Sequence, residues 1–224
     1  MSATNIQNFS GDIQVRGTTF IKANSNTNNI AIGTDAGLTS QGLSTIAIGD
    51  QAGKDDQGQY AVAVGRQAGE TGQNNYAIAM GYTAGQTGQG ATTIAIGYQA
   101  GLNVQGQNSV AVGRQAGEVG QGGQSVAVGY ASGNNAQGAQ SVAVGRVAGY
   151  NAQGANSVAV GYESGCTTQG AQCVAIGYRA GCDTQGVDSI AIGREAAKAN
   201  QGASSVAIGY LAGQVSQNAN SVAI

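Results

Sequence analysis

The chain has 224 residues, of which 39 are glycine, and it contains no proline, tryptophan or histidine. The lack of proline excludes a collagen triple helix. The lack of histidine removes the commonest general base and zinc ligand, so we expect no enzyme, no catalytic residue, no cofactor and no metal. Nine Lys and Arg against eleven Asp and Glu give a net charge of −2, which argues against a nucleic-acid partner.

The first 29 residues differ from the rest of the sequence. Residues 8–22 alternate polar and apolar side chains like a strand pair, so residues 1–29 are predicted to form a β-rich cap or attachment segment. Residues 1–10 lack the basic and apolar regions of a signal peptide, so we expect synthesis without one. Outside glycine, apolar runs reach only about five residues, whereas a spanning helix needs about 20, so we expect no membrane insertion.

A 16-residue repeat occupies residues 30–224, which we treat as the second domain. Position 1 is always Val or Ile, position 2 always Ala, position 3 Val, Ile or Met, and position 4 Gly. The period of two predicts a β-strand at positions 1 to 3, and we expect a second short strand near positions 6 to 9. One unit cannot bury its own apolar side chains, so stacked units are predicted to form an all-β parallel β-solenoid of twelve coils.

Positions 1 and 3 are predicted to face the interior of each coil, which places the invariant Ala of position 2 on the outside. Restriction to a methyl group there suggests a crowded face, packed against identical chains around a symmetry axis. The alternative is that Ala simply fits a tight monomeric coil.

Glycine marks the predicted corners of the coil, since positions 4, 8 and 13 hold 33 of the 39 glycines. Position 13 is only Gly or Asn, so we predict a left-handed backbone there. Position 12 is invariant Gln, interpreted as a structural hydrogen-bonded ladder or, alternatively, a ligand-binding row. Its members are Gln41, Gln57, Gln73, Gln89, Gln105, Gln121, Gln137, Gln153, Gln169, Gln185, Gln201 and Gln217.

Position 5 uses only two residue types over ten successive coils, and we call this row the Tyr/Arg column. Tyr rings and guanidinium groups at strand spacing can stack into a stiff ladder, or can offer platforms and hydrogen-bond donors to sugars of a cell surface. The column consists of Arg66, Tyr82, Tyr98, Arg114, Tyr130, Arg146, Tyr162, Tyr178, Arg194 and Tyr210.

Three cysteines are too few for a disulfide framework and fit a reducing compartment. Cys166 and Cys182 share position 9 in adjacent coils, within bridging range, but parallel side chains have poor geometry for a bond, so we expect free thiols. Cys173 stands where most repeats have Ser, and we expect it to act as a small residue.

The repeat resembles a known family in the sequences Asn-Ser-Val-Ala-Val-Gly at 156–161 and Ser-Val-Ala-Ile-Gly at 205–209. These are similar to the head repeats of trimeric autotransporter adhesins and to repeats of phage and large-virus fibres. The resemblance implies a left-handed β-roll, an intertwined homotrimer and a role in surface attachment. The 16-residue unit is longer than the usual adhesin head repeat.

The leading hypothesis is therefore a virion surface fibre or spike, extracellular, which contacts a host-surface glycan or protein and joins the virion or fibre base through residues 1–29. A purely structural filament or spacer is the alternative, because the chain stops inside a repeat, and a bacterial adhesin head fragment is the third. Ice-binding, calcium-binding and acyltransferase solenoids are disfavoured, because no position is predominantly Thr, Asp is not repeated and histidine is missing.

Overall fold

A computed structural model describes residues 13–15, 18–24 and 28–224, and within them every regular element is a β-strand. In chain order the strands are β1 (Ile13–Val15), β2 (Thr18–Asn24), β3 (Asn29–Ile32), β4 (Ile46–Ile48), β5 (Val62–Val64), β6 (Ile78–Met80), β7 (Thr87–Gln89), β8 (Ile94–Ile96), β9 (Asn103–Gln105), β10 (Val110–Val112), β11 (Val119–Gln121), β12 (Val126–Val128), β13 (Asn135–Gln137), β14 (Val142–Val144), β15 (Asn151–Gln153), β16 (Val158–Val160), β17 (Thr168–Gln169), β18 (Val174–Ile176), β19 (Thr184–Gln185), β20 (Ile190–Ile192), β21 (Ala199–Gln201), β22 (Val206–Ile208), β23 (Val215–Gln217) and β24 (Val222–Ala223).

The strands form two sheets that run along the coil stack, and from β3 onward all neighbouring strands are parallel. The larger sheet contains positions 1 to 3 of every coil, paired in exact 16-residue register, as in Val110 with Val126 and Ala111 with Ala127. The smaller sheet begins at β7 and pairs positions 10 to 12 of neighbouring coils. Adjacent coils lie 4.8 Å apart, measured between the Cα atoms of Cys166 and Cys182. The predicted parallel β-solenoid of about twelve coils is therefore confirmed.

The second strand of each coil was predicted in the wrong place. Positions 5 to 8 form a turn, and the strand lies at positions 10 to 12, as in β11. Residues at position 6 explain the difference, because they adopt left-handed φ values, such as +58° at Gln115 and +56° at Glu195. Position 8 is left-handed as well, as at Gly117 with +53°, so two such residues turn the chain within four positions. The strand at positions 10 to 12 contains at most one left-handed residue, as at Val104 with +53°.

The invariant Ala of position 2 lies inside the coil, which corrects the predicted facing of this strand. Ala111 and Ala127 are fully buried, whereas the residues on either side of each are only partly covered. The interior is too narrow for Val or Ile, because Ala of position 7, Gln of position 12 and the small residue of position 16 share it. The alternative, that Ala fits a tight single coil, is the correct account of this residue.

Glycine at position 13 is required for a different reason from the one predicted. Position 13 has no left-handed φ in any described coil. A Cβ at Gly122 would lie 2.5 Å from the backbone nitrogen of Ala139 in the next coil, so close approach between coils selects glycine. Asn74 is accommodated at this position, and its side-chain Nδ2 donates to the Gln89 carbonyl across the same gap.

The N-terminal strands pair with the first coil of the solenoid. Strand β1 pairs antiparallel with β2, and β2 pairs antiparallel with β3 over Ile21–Asn24 and Asn29–Ile32. This arrangement occupies the backbone edge of the first coil in the larger sheet. The division of the chain into a cap at 1–29 and a solenoid at 30–224 stays a prediction.

Candidate functional site

The larger sheet presents a continuous apolar surface on its outer side, which we call the apolar face, formed by positions 1 and 3 of each coil. Position 1 is half-buried along the stack, and several residues of position 3 are more exposed. Met80, Ile96 and Ile208 have 41%, 37% and 41% of their surface exposed, more than a soluble protein usually leaves open in one continuous row. The sequence predicted these side chains inside the coil, so this surface was missed.

The Tyr/Arg column lies on the outside of the turn that follows position 4. Every neighbour in the row is in contact with the next, so the ten side chains form one uninterrupted stack. Tyr82 stacks on Tyr98 with ring centroids 5.3 Å apart and an interplanar angle of 9°. The Arg114 guanidinium carbon lies 5.5 Å from the ring centroids of both Tyr98 and Tyr130. Arg146 bridges Tyr130 and Tyr162 in the same way, at 5.4 and 5.2 Å.

Stacking covers the faces of the rings and leaves their edges open. Tyr98, Tyr130 and Tyr178 keep 45%, 41% and 44% of their surface exposed, although each ring lies between two neighbours in the stack. A sugar therefore cannot lie flat on these rings as on a platform. What the column offers to a ligand is a row of phenol hydroxyl and guanidinium N–H donors.

Among the described residues, the arginines at the two ends of the column form ion pairs, whereas those in its middle do not. Arg66 Nε lies 3.2 Å from Asp50 Oδ2, and Arg194 Nε lies 3.9 Å from Glu195 Oε1. Arg114 and Arg146 are exposed and, within residues 28–224, have no carboxylate within 4.0 Å. The nearby Glu118 is engaged by the Nδ2 of Asn134 at 2.7 Å. Two positive charges in the middle of the rod are thus free of ion pairs.

The Gln row of position 12 lies inside the coil instead of on a surface. From Gln57 to Gln217, each Nε2 donates to the carbonyl of position 1, as Gln121 does to Val110 at 2.8 Å. Amide-to-amide bonds join five pairs of side chains, one of which is Gln121 to Gln137 at 3.1 Å. The relay is interrupted between pairs, where the Oε1 atoms of Gln89 and Gln121 find no donor. Burial leaves this row no route to an external ligand.

The cysteines of position 9 are bonded to each other, contrary to the expectation of free thiols. Cys166 and Cys182 form a disulfide between adjacent coils, whose 4.8 Å Cα spacing lies within the range that a disulfide spans. The short distance between adjacent coils allows the disulfide to form, although the two side chains leave the backbone in the same direction. Cys173 is a free, fully buried thiol at position 16, in contact with the Gly186 carbonyl at 2.9 Å.

A second aromatic pair was not singled out from the sequence. Tyr60 and Tyr76 occupy position 15 of adjacent coils, stack with centroids 5.1 Å apart, and are 48% and 57% exposed. The signal was present as the same residue type 16 positions apart, but it lasts for only two coils.

Metal-binding clusters are absent from the part of the chain that the structure describes. Residues 28–224 contain no group of three or more Cys, Asp or Glu side chains placed to hold a cation. The candidate surfaces are therefore the apolar face and the Tyr/Arg column, both of which run along the rod.

The comparison with known protein families bears directly on these coils. Two stretches match the YadA head domain repeat, at residues 151–164 and 185–212. No curated protein matches the chain. Together, the match and the β-solenoid fold confirm the resemblance to adhesin head repeats that the sequence predicted.

The stretches that match the YadA head domain repeat include strands of both sheets of the coil. Both matched stretches contain the second-sheet strand and the neighbouring turns as well as the Val-Ala-Val or Val-Ala-Ile motif. Since the coils without a match have the same period and register, they are built on the same plan. The match indicates an adhesin-type attachment protein, in which such repeats form a structural rod. No described helix has the length and apolar character to cross a membrane.

Proposed function

We propose that this protein is the rod of a homotrimeric attachment fibre, displayed at the surface of a virion. The observation that carries the proposal is the match of its coils to the YadA head domain repeat. The apolar face supports self-association, because a continuous row of half-exposed Val and Ile along the rod is best covered by further copies of the same chain. Three as the number of copies rests on the adhesin resemblance.

A virion is favoured over a bacterial surface by the repeat itself. The 16-residue unit is longer than the usual adhesin head repeat, and the family match covers only residues 151–164 and 185–212. The disulfide between Cys166 and Cys182 fits a molecule that works outside the reducing cytosol, as both a virion and a bacterial surface protein do. Residues 1–29 are proposed to join the rod to the virion or fibre base.

Attachment by such a rod is proposed to use the Tyr/Arg column as a repeated weak contact site. Each contact is small, but ten coils on each of three chains raise the overall strength of attachment by multivalency. The ligand is a glycan or protein of the host surface, and the column carries no enzymatic role.

The experiment measures attachment of the purified fluorescent protein to host cells, together with immuno-electron microscopy on virions and on bacteria. We expect cell attachment and labelling of virions. If the protein attaches to no cell but the antibody against it labels a virion or a filament, the second candidate, a structural spacer, is favoured. That candidate is supported by the uninterrupted stacking in the column, which stiffens the rod without any ligand. Labelling of bacteria alone would assign the rod to a bacterial adhesin.

A further inference from the structure

The central part of the Tyr/Arg column differs from its ends in charge. We call Tyr98, Arg114, Tyr130, Arg146 and Tyr162 the central segment. Its two guanidinium groups belong to coils that are two steps apart along the rod, where each step is 4.8 Å. One tyrosine ring, that of Tyr130, lies between them. Neither has a carboxylate partner within residues 28–224, whereas Arg66 at one end is paired with Asp50.

The donors of the central segment point to a ligand rich in anionic oxygen. Arg114 makes no hydrogen bond to either ring that it stacks on, so its guanidinium N–H groups remain available at the exposed edge. Arg146 uses one nitrogen, Nη1, to donate to Tyr162 Oη at 2.9 Å, and keeps its other donors. Arginine binds carboxylate and sulfate groups through paired N–H donors, and such charge-assisted bonds are stronger than neutral ones.

The shape of the segment selects among anionic ligands. Ring faces are covered by their neighbours in the stack, so unpaired nucleic-acid bases have no surface to stack on. The net charge of −2 also gives no general attraction to polyanions. A linear chain that carries an acidic group at regular intervals can follow the donors along the rod axis.

We propose that the central segment binds an acidic polysaccharide, which lies along the rod with its carboxylate or sulfate groups at Arg114 and Arg146. The proposal rests on the proposed attachment function and names its ligand class. Tyrosine hydroxyl groups on both sides of each guanidinium supply further donors to the sugar oxygens. The stack holds both guanidinium groups in place, so little side-chain freedom is lost on binding.

The test measures binding of the intact protein to immobilised heparin, hyaluronan and dextran, by surface plasmon resonance at low and high salt. We expect binding to one or both acidic polysaccharides, weakening at high salt, and none to neutral dextran. The Arg114→Gln/Arg146→Gln variant should lose affinity by about tenfold or more, since two charge-assisted contacts are removed. The Arg114→Lys/Arg146→Lys variant, which keeps the charge, should recover part of it.

Arg179→Gln is the matched control, because Arg179 lies outside the Tyr/Arg column and its Nε is paired with Glu163 Oε2 at 3.1 Å. It should bind as the unmodified protein does. The proposal is overturned by unchanged affinity in the double variant, by an equal loss in Arg179→Gln, or by equal binding of single-stranded DNA. A change in oligomer mass of the double variant would also overturn it, since the segment would then be a subunit contact. Cell attachment that persists without polysaccharide binding refutes this inference and leaves the proposed function standing.

Discussion

Glycine at position 4 is held by its backbone conformation and by its neighbour in the next coil. Gly129 has a φ of +130°, a region that residues with a Cβ rarely adopt, and a Cβ there would lie 2.5 Å from the Gly145 carbonyl oxygen. The same two constraints recur along the stack, for example at Gly97 with Gly113. Position 4 is therefore invariant because either constraint alone excludes a side chain.

Gly129→Ala is expected to destabilise the rod, by about 1–3 kcal/mol from backbone strain with the clash in addition. Chemical denaturation followed by circular dichroism measures the loss. Gly123→Ala is the matched control, because Gly123 lacks a left-handed φ and the nearest atom to its Cβ would be 3.3 Å away. Because Ala139 and Ala155 occupy the same position in the next two coils, the control should change stability far less than Gly129→Ala does. An equal loss in both variants would contradict the argument.

The buried Gln side chains differ in how completely their amides are bonded, which allows a paired comparison. Gln137 donates to the Val126 carbonyl and accepts from Gln121, whereas the Oε1 of Gln153 has no donor. Methionine has similar length and flexibility. Gln137→Met should lower the free energy of unfolding by about 1–3 kcal/mol, because two bonds are lost and the amide of Gln121 loses a partner.

Gln153→Met is the comparison for that substitution. It should lower the free energy of unfolding by about 1 kcal/mol less than Gln137→Met does, because it also removes a buried oxygen that has no hydrogen-bond donor. Thermal unfolding of both variants under the same conditions gives the difference. Equal destabilisation would show that the bonds between Gln side chains contribute nothing beyond those to the backbone.

At the scale of the single residue, the sequence correctly predicts that side chains alternate between the two sides of the strand. It does not predict which side faces the coil interior. A period of two places Ala111 on the opposite side of the sheet from Val110 and Val112, but it does not say which side is the interior. That choice depends on the volume inside the coil, which Gln of position 12 and Ala of position 7 already fill. These residues lie ten and five positions away, so no local pattern reveals them.

At the scale of the element, the 16-residue period predicted the parallel pairing and its register, because identical residues must align when identical units stack. It placed the second strand wrongly, since positions 10 and 11 vary among Thr, Asn, Asp, Ser, Gly, Val and Ala without a clear alternation before the invariant Gln of position 12. Left-handed φ values at positions 6 and 8, as at Gln115 and Gly117, place a turn where the sequence predicted the second strand.

The disulfide between Cys166 and Cys182 connects the ninth and tenth coils and closes a loop of 16 residues. Because it restricts the unfolded chain, a loop of this size is expected to add about 3 kcal/mol to stability. Reductant should therefore lower the Tm of the unmodified protein and of Cys173→Ser, and should not affect Cys166→Ser/Cys182→Ser. Thiol titration in denaturant without reductant should find the single thiol of Cys173, and three thiols would contradict the pairing.

At the scale of the whole molecule, a single rod leaves the apolar face open on one side. The coil interior holds mostly Ala, Ser, Thr and Gln, so the larger aliphatic side chains of positions 1 and 3 contribute little to the core of one chain. Those side chains gain full burial only against another surface, and repetition along every coil favours an identical rod as that surface. The sequence predicted self-association, but from the wrong residue, since Ala lies inside.

Ile96 and Ile176 both belong to the apolar face, where they are 37% and 38% exposed, and they offer a test of this surface. Ile96→Lys/Ile176→Lys places a charge at two levels of the face, and an unpaired charge is strongly disfavoured in an apolar interface. Sedimentation equilibrium should give three times the chain mass for the unmodified protein and the mass of one chain for the variant.

Val119→Lys is the matched control for the apolar face, because Val119 is 42% exposed on the smaller sheet. It should keep the mass of three chains, and circular dichroism should show intact strands in all three proteins. If Val119→Lys dissociates the assembly and the double variant does not, the smaller sheet is the contact between chains. A monomeric unmodified protein would remove both the homotrimer and the multivalent attachment that depends on it, because each rod would then present its Tyr/Arg column only once.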